Sequence, residues 1–170
     1  LNRIFETAGA RICFMADYFL PDIDEVLRYE RLCAGTFEFR VMESTEFAGL
    51  YLPEWKNALC ADRKHLDRLA VGAFDRGQLV GLAGCSADCD TMWQIGVDVL
   101  PAYRRAGIAS ALTNRLARET FERELVPFYC AAWSNVKSVR NAIRSGFRPG
   151  WVEATAKADG YIEDMLKKGR

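Results

Sequence analysis

The stretch Val97-Asp98-Val99-Leu100-Pro101-Ala102-Tyr103-Arg104-Arg105-Ala106-Gly107-Ile108-Ala109 decides how the rest of this chain folds. Leading into it, Met92 to Val99 alternates, with Trp93, Ile95, Val97 and Val99 on one side, which is the period of a half-buried strand. Beyond it, Ile108, Ala111, Leu112 and Leu116 form an apolar stripe, while Arg115, Arg118, Glu119 and Glu122 lie mostly elsewhere, as in a helix packed on a sheet. A strand that passes through a short loop into a helix gathers the helix's unpaired N–H groups and its positive dipole end at one spot. An anion such as a diphosphate fits there. Gly107 and the small Ala109 let it approach the backbone, and Arg104 and Arg105 add charge.

Working outward, residues 1–34 read as a leader: a short helix ending at Gly9, an extended run from Arg11 to Leu20, and a second helix. Asp22 and Glu25 have capping-box spacing ahead of Val26, Leu27 and Leu32, and Gly35 closes the segment. Phe37 to Met42 alternates as a strand. Ser44 is placed to cap a short helix carrying Phe47 and Leu50, and Pro53 to begin a longer one carrying Trp55, Leu59, Leu66 and Leu69. Leu69–Phe74 and Leu79–Cys85, joined by Asp75-Arg76-Gly77, read as a hairpin. After Gly107 come a helix, a strand from Pro127 to Trp133, a helix from Val136 to Ser145, and a strand from Phe147 to Ala156. The tail, 159–170, is helical or frayed. Strands alternating with helices indicate an α/β architecture, with an antiparallel part from the hairpins.

A second constellation follows the first at a strand–helix spacing: Asn135-Val-Lys-Ser138-Val-Arg-Asn-Ala142-Ile-Arg-Ser-Gly146-Phe147. Asn135 and Ser138 suit a helix start, and Gly146 a left-handed helix stop. Together the two stretches resemble motifs A and B of the GNAT superfamily of N-acetyltransferases. Arg104, Gly107 and Ala109 fill the three fixed positions of motif A, and Asn135 with Gly146-Phe147 frames motif B. The resemblance implies an α/β fold with a GNAT-type mixed central sheet and helices on both faces, and an acyltransferase domain over 35–158. It implies acetyl-CoA as acyl donor, with no metal. The amides of Arg105, Ala106, Gly107, Ile108 and Ala109 would hold the pyrophosphate. The backbone near Val97 and Val99 would pair with the pantetheine arm as an added strand. Asn135 would contact pantetheine and Ser138 the nucleotide end. The implied activity moves an acetyl or other short acyl group to a primary amine, on a small molecule or a peptide.

Acyl transfer to an amine needs a free lone pair, yet an alkyl ammonium of pKa near 10.4 is only about one part in 2,500 neutral at pH 7. A base must take the proton, and the departing thiolate benefits from an acid. The family often places a Tyr four residues before the closing Gly of motif B; here that position is Ala142. The alternative reading, a non-catalytic acyl-CoA-binding sensor, rests on that vacancy. Trp93 stands where some members carry their carboxylate. Asp88, in the turn before it, is the candidate base, with Asp90 nearby and Asp98 facing the other way. Trp93 and Trp133 are candidate walls of the acceptor pocket. Tyr103, Tyr129 and Cys130 are candidate acids if the fold brings them to the sulfur.

Composition narrows the remainder. Lys plus Arg and Asp plus Glu number 23 each, so no global field favours nucleic acid or an anionic membrane. No apolar run approaches the roughly 20 residues of a membrane span. The six cysteines lack the paired spacing of a zinc or redox site, and five, lying in or near apolar segments, are expected as buried free thiols. No secretory signal pattern is present at the amino end, so the expected location is cytoplasmic; Leu1 in place of Met suggests that sequence precedes it. The leader strand is expected either to cover the exposed edge beside Phe147 to Ala156, within the chain or across a homodimer, or to be the remnant of an upstream region.

Overall fold

The computed structural model describes residues 1–30 and 35–168; Leu32, named above, and Cys33, one of the six cysteines, lie outside them. Helix α1 (Asn2–Glu6) leads through Gly9, at φ +63°, into strand β1 (Ala10–Pro21). Helix α2 (Ile23–Arg28) starts where the Asp22 side chain accepts the Glu25 N–H at 3.2 Å. Strands β2 (Glu38–Glu43), β3 (Asp67–Asp75), β4 (Gln78–Ser86) and β5 (Met92–Val99) follow. Then come α3 (Ile108–Phe121), β6 (Val126–Ala132), α4 (Val136–Arg144), β7 (Phe147–Ala158) and α5 (Asp159–Lys168).

The seven strands form one mixed sheet in the order β2-β3-β4-β5-β6-β1-β7, in which only β5 and β6 run parallel. The leader strand therefore sits inside the sheet. β1 pairs with β6 from Ala16↔Ala132 to Phe19↔Tyr129, and along its whole length with β7, from Ala10↔Ala158 to Pro21↔Phe147.

Residue parity along the strands separates two cores. On one face α3 lays Ile108, Leu112 and Leu116 against Leu69, Val71, Ala83, Cys85 and Ile95. Each such side chain taken fully from water contributes about 1.5–3 kcal/mol. Helices α2 and α4 join this layer: the Asn114 side chain donates to the carbonyls of Val26 and Ser145, and Arg118 donates to those of Val26, Leu27 and Tyr29. The end of the short α2 thus finds donors for carbonyls that a helix terminus leaves orphaned.

The other face is covered by 44–66, where the structure departs from the sequence reading. The spacing of Trp55, Leu59, Leu66 and Leu69 suggests one helix, yet only 3₁₀ turns form, at Pro53–Trp55 and Ala61–Arg63, and Leu69 belongs to β3. Two carboxylates intercept the backbone. Asp98 accepts from the Asn57 N–H at 2.7 Å, the Ala58 N–H at 3.1 Å and the Asn57 Nδ2 at 2.6 Å, while Asp67 accepts the Cys60 N–H at 3.0 Å. Gly96 makes this docking possible, because a Cβ there would overlap the Asn57 carbonyl oxygen and lie 2.8 Å from its carbon. Trp55, Leu59, Met42, Phe47 and Leu82 fill the core beneath. The preceding 3₁₀ turn, Ser44–Gly49, is capped by Glu43 and Glu46 reciprocally rather than by Ser44.

Of the five described cysteines, all are free but only Cys85 is buried; Cys13 and Cys89 are exposed and Cys60 and Cys130 lie between, so burial of the group as a whole does not hold. Cys60 and Cys89 lie outside the strands, and Cys60 and Cys130 line the cleft described next. No helix among the described residues is long and apolar enough to cross a membrane.

Candidate functional site

Strands β5 and β6 stay paired for only four positions, Met92↔Val126 to Ile95↔Tyr129, and then part. Past Ile95, β5 follows β4, pairing Val97 with Ala83 and Val99 with Gly81, whereas β6 follows β1. Backbone groups of successive residues point to alternate edges of a strand. The Thr91 carbonyl accepts the Val126 N–H at 2.9 Å, so Thr91, Trp93, Ile95, Val97 and Val99 face β6 with their peptide groups. At Val97 that edge is open. The fork is the mouth of a cleft of about 390 Å³ that runs onto the face covered by residues 56–60.

The loop after β5 is locked in place by Arg104, whose Nε donates back to the Val99 carbonyl at 3.0 Å. Arg105 (φ +67°) and Gly107 (φ +83°) both take left-handed backbone, a conformation costing a non-glycine residue roughly 1–2 kcal/mol. Such turns aim successive N–H groups into one concavity. Among the described residues, the amides of Arg105, Ala106, Gly107, Ile108 and Ala109 have no protein acceptor, and Gly107 is the N-cap of α3 without a capping side chain. Such a turn can donate several hydrogen bonds to an anion.

Asn135 ends the other arm of the fork and caps α4, its Oδ1 accepting the Ser138 N–H at 3.2 Å. The Ser138 hydroxyl shares a 2.8 Å hydrogen bond with the buried Tyr129 hydroxyl. Both residues line the cleft, together with Cys130. Burial raises the pKa of the Tyr129 phenol and of the Cys130 thiol above their ordinary values, so Cys130 is held as a thiol rather than a nucleophilic thiolate.

Asp88 also lines the cleft, with its carboxylate paired to Arg63 at 2.5 Å. Two residues proposed for the acceptor pocket are not among its walls. Trp93 has the parity of the helix face and packs on the α3 core, and Trp133 is 52% exposed with its Nε1 donating to Asp17 at 2.7 Å. Tyr103 is also absent from the walls, its hydroxyl donating to Asp75 at 3.0 Å. Ala142 is fully buried on the inner side of α4, leaving no space at that position for a larger side chain without repacking. Sequence reasoning missed Asp67, a carboxylate 2% exposed in the cleft wall. The available signal was an acidic residue two positions ahead of the apolar run of β3, which reads as an ordinary solvated strand start.

The sequence model of the Acetyltransferase (GNAT) family matches residues 36–147. This chain belongs to that family. No curated protein matches it in sequence. Among solved structures it is similar to a GCN5-related N-acetyltransferase from Kribbella flavida, at 22% identity and a TM-score of 0.66 over 92% of this chain and 61% of that one. It is similar also to a GCN5-related N-acetyltransferase-like protein from Streptococcus suis 89/1591, at 20% identity and 0.63 over 91% and 66% of the two chains. The aminoglycoside N-acetyltransferase AAC(6')-Iy, solved in complex with CoA, is 20% identical with a TM-score of 0.53 over 68% of this chain and 90% of that one. The chain thus spans less than two thirds of the length of the Kribbella and Streptococcus proteins. The family match begins after β1 and stops at residue 147, so both β1 and nearly all of β7 lie outside the matched segment.

Proposed function

We propose that this GNAT domain transfers an acetyl or other short acyl group from coenzyme A to a primary amine, at the fork between β5 and β6. The observation that carries the reading is the continuity of two unfilled backbone surfaces. The open edge at Val97 leads directly into the unpaired amides of Arg105 to Ala109. The first suits the amide-bearing pantetheine arm, and the second suits a diphosphate. Val99 would contribute its N–H, since its carbonyl is taken by Arg104. Asn135, with its Oδ1 engaged in capping, offers Nδ2 to pantetheine from the opposite arm, and Ser138 stands behind it. The bound thioester supplies an electrophilic carbonyl; the protein's part is to hold it in the fork and to bring in a neutral amine. The CoA complex of the similar aminoglycoside N-acetyltransferase supports the choice of donor.

The alternative, an acyl-CoA sensor without turnover, draws on Ala142, which leaves the position often held by Tyr in the family without a hydroxyl. Calorimetry with acetyl-CoA and thiol release with a panel of primary amines separate the two. The wild type is expected to bind and to release thiol, and Gly107→Glu to lose binding while keeping its circular dichroism spectrum. Unchanged affinity in that variant would remove the diphosphate assignment, and binding without thiol release across the panel would favour the sensor.

A further inference from the structure

The cleft does not end at the fork. On the face covered by 53–66, Asp67 of β3, Ser86 of β4 and Gln94 of β5 are successive register partners, Asp67↔Ser86 and Ser86↔Gln94. Directly opposed residues on neighbouring strands project to the same side. The row crosses three strands and all three residues line the cleft. Two features set it apart from a solvated polar edge. Asp67 is 2% exposed, and no cation among the described residues bonds to it: its Oδ2 accepts the Cys60 N–H, the Tyr51 hydroxyl lies beside it, and the nearby Arg63 is paired with Asp88. Ser86 Oγ, equally shielded from water, has no hydrogen-bond partner among the described residues. Native structures rarely leave such an atom unpaired, and one in a cleft wall marks where a ligand's polar group belongs.

An alkyl ammonium carries three N–H donors and one charge. The row offers a carboxylate, a hydroxyl and an amide oxygen, and among the described residues no cation hydrogen-bonds to that buried carboxylate. Resting on the acyl-transfer reading above, we infer that the acceptor ammonium docks between Asp67, Ser86 and Gln94, and that Asp67 takes the proton that frees its lone pair. One N–H bond breaks, its proton passing to the Asp67 carboxylate. The nitrogen then bonds to the thioester carbonyl carbon, the C–S bond breaks, and the thiolate takes the second proton from the former amine. The products are the amide and free coenzyme A, with Asp67 returning its proton to solvent. Burial raises the pKa of Asp67, bringing it nearer the working range of a base than an exposed aspartate; Tyr51, Arg63 and the Cys60 N–H act against that rise, and Asp88 adds to it. The site selects an unhindered primary amine, because each alkyl group on nitrogen removes a donor that the row can receive.

The test uses the full chain, acetyl-CoA and a panel of primary, secondary and tertiary amines, with Asp67→Asn, Ser86→Ala and Asp88→Asn variants. Asp67→Asn is expected to keep acetyl-CoA affinity and lose kcat/KM for the best primary amine about 100-fold or more, as when a general base is removed. Its residual rate should climb with pH in step with the free-amine fraction, without the wild-type levelling. Ser86→Ala removes an atom with no protein partner, so it should fold normally and raise KM about tenfold, the loss of one hydrogen bond to a charge. Asp67→Asn with kcat/KM within about threefold of wild type and the same pH profile would overturn the assignment. So would a Ser86→Ala variant with unchanged KM, or an activity loss confined to Asp88→Asn. Wild type that binds acetyl-CoA yet acylates no amine would instead sink the acyl-transfer reading itself.

Discussion

Replacing Gly96 by Ala tests how the cleft-side loop is held. The new Cβ would overlap the Asn57 carbonyl oxygen and stand 2.8 Å from its carbon, against an ordinary carbon–carbon contact of roughly 3.5–4.0 Å. Backbone rather than a pliant side chain meets it, so the loop must retreat by about 1 Å. The three hydrogen bonds into Asp98, at 2.7, 2.6 and 3.1 Å, cannot keep their geometry after that shift. Hydrogen bonds to a charged acceptor are worth about 1.5–3 kcal/mol each, and water recovers part of them at this partly exposed carboxylate, so the net cost is about 2–4 kcal/mol. At roughly 2–4 °C per kcal/mol for a domain of this size, the Tm should fall by about 5–15 °C. Gly81→Ala is the control: its Cβ would meet Ile108 Cγ2 and Leu112 Cδ1, both at 3.0 Å, and those are side-chain ends able to give way. Thermal unfolding followed by circular dichroism compares the two. A Gly96→Ala variant melting within about 2 °C of wild type, or no lower than Gly81→Ala, would refute the reasoning.

Two further outcomes follow from the packing. Installing Tyr at the fully buried Ala142 should cost about 1–3 kcal/mol through overpacking, read as a lower urea midpoint at unchanged m-value; a Tyr accommodated without loss would mean that α4 lifts freely from the sheet. Deleting residues 1–33 should leave a chain that no longer melts cooperatively, since both edges exposed by the loss of β1, on β6 and on β7, would stand unpaired. A truncated chain with the parental transition would make the leader an appendage.

The legible parts of the sequence were those whose physics is local. Arg104 to Ala109 could be read because a strand period, a glycine and a helix stripe meet within a dozen residues, and the structure adds the left-handed Arg105 and Gly107 at that point. The cap at Asn135 is equally local. What escaped depended on partners far along the chain. The helical spacing from Trp55 to Leu69 is genuine, but Asp98 and Asp67 withdraw the N–H groups of Asn57, Ala58 and Cys60 from any helix, and no window around Pro53 contains Asp98. Trp93 occupies the position where some family members carry a carboxylate and so reads as a pocket wall, whereas in the fold it packs on the α3 core and its neighbours Gln94 and Gly96 line the cleft. Asp67 carries no spacing signal; only its burial beside Ser86 distinguishes it from the surface carboxylates. The strand nature of Arg11 to Leu20 was readable from its residues, whereas its seat between β6 and β7 is a matter of long-range register.

That seat has consequences for how the chain acquires its structure in time. During synthesis β1 emerges well before both of its neighbours, Val126–Ala132 and Phe147–Ala158. Pairs such as Ala10↔Ala158 and Arg11↔Lys157 join positions far apart along the chain, so closing them carries the entropic cost of a very long loop. Contacts of this kind slow folding. The segment from Met92 to Val99, with α3 and the hairpin before it, can collapse on nearby partners first, while β1 waits with Ala16 and Phe19 unburied. Insertion of β1 is then the step that commits β7 to the sheet, and the nascent protein is most vulnerable to mispairing in the interval before it.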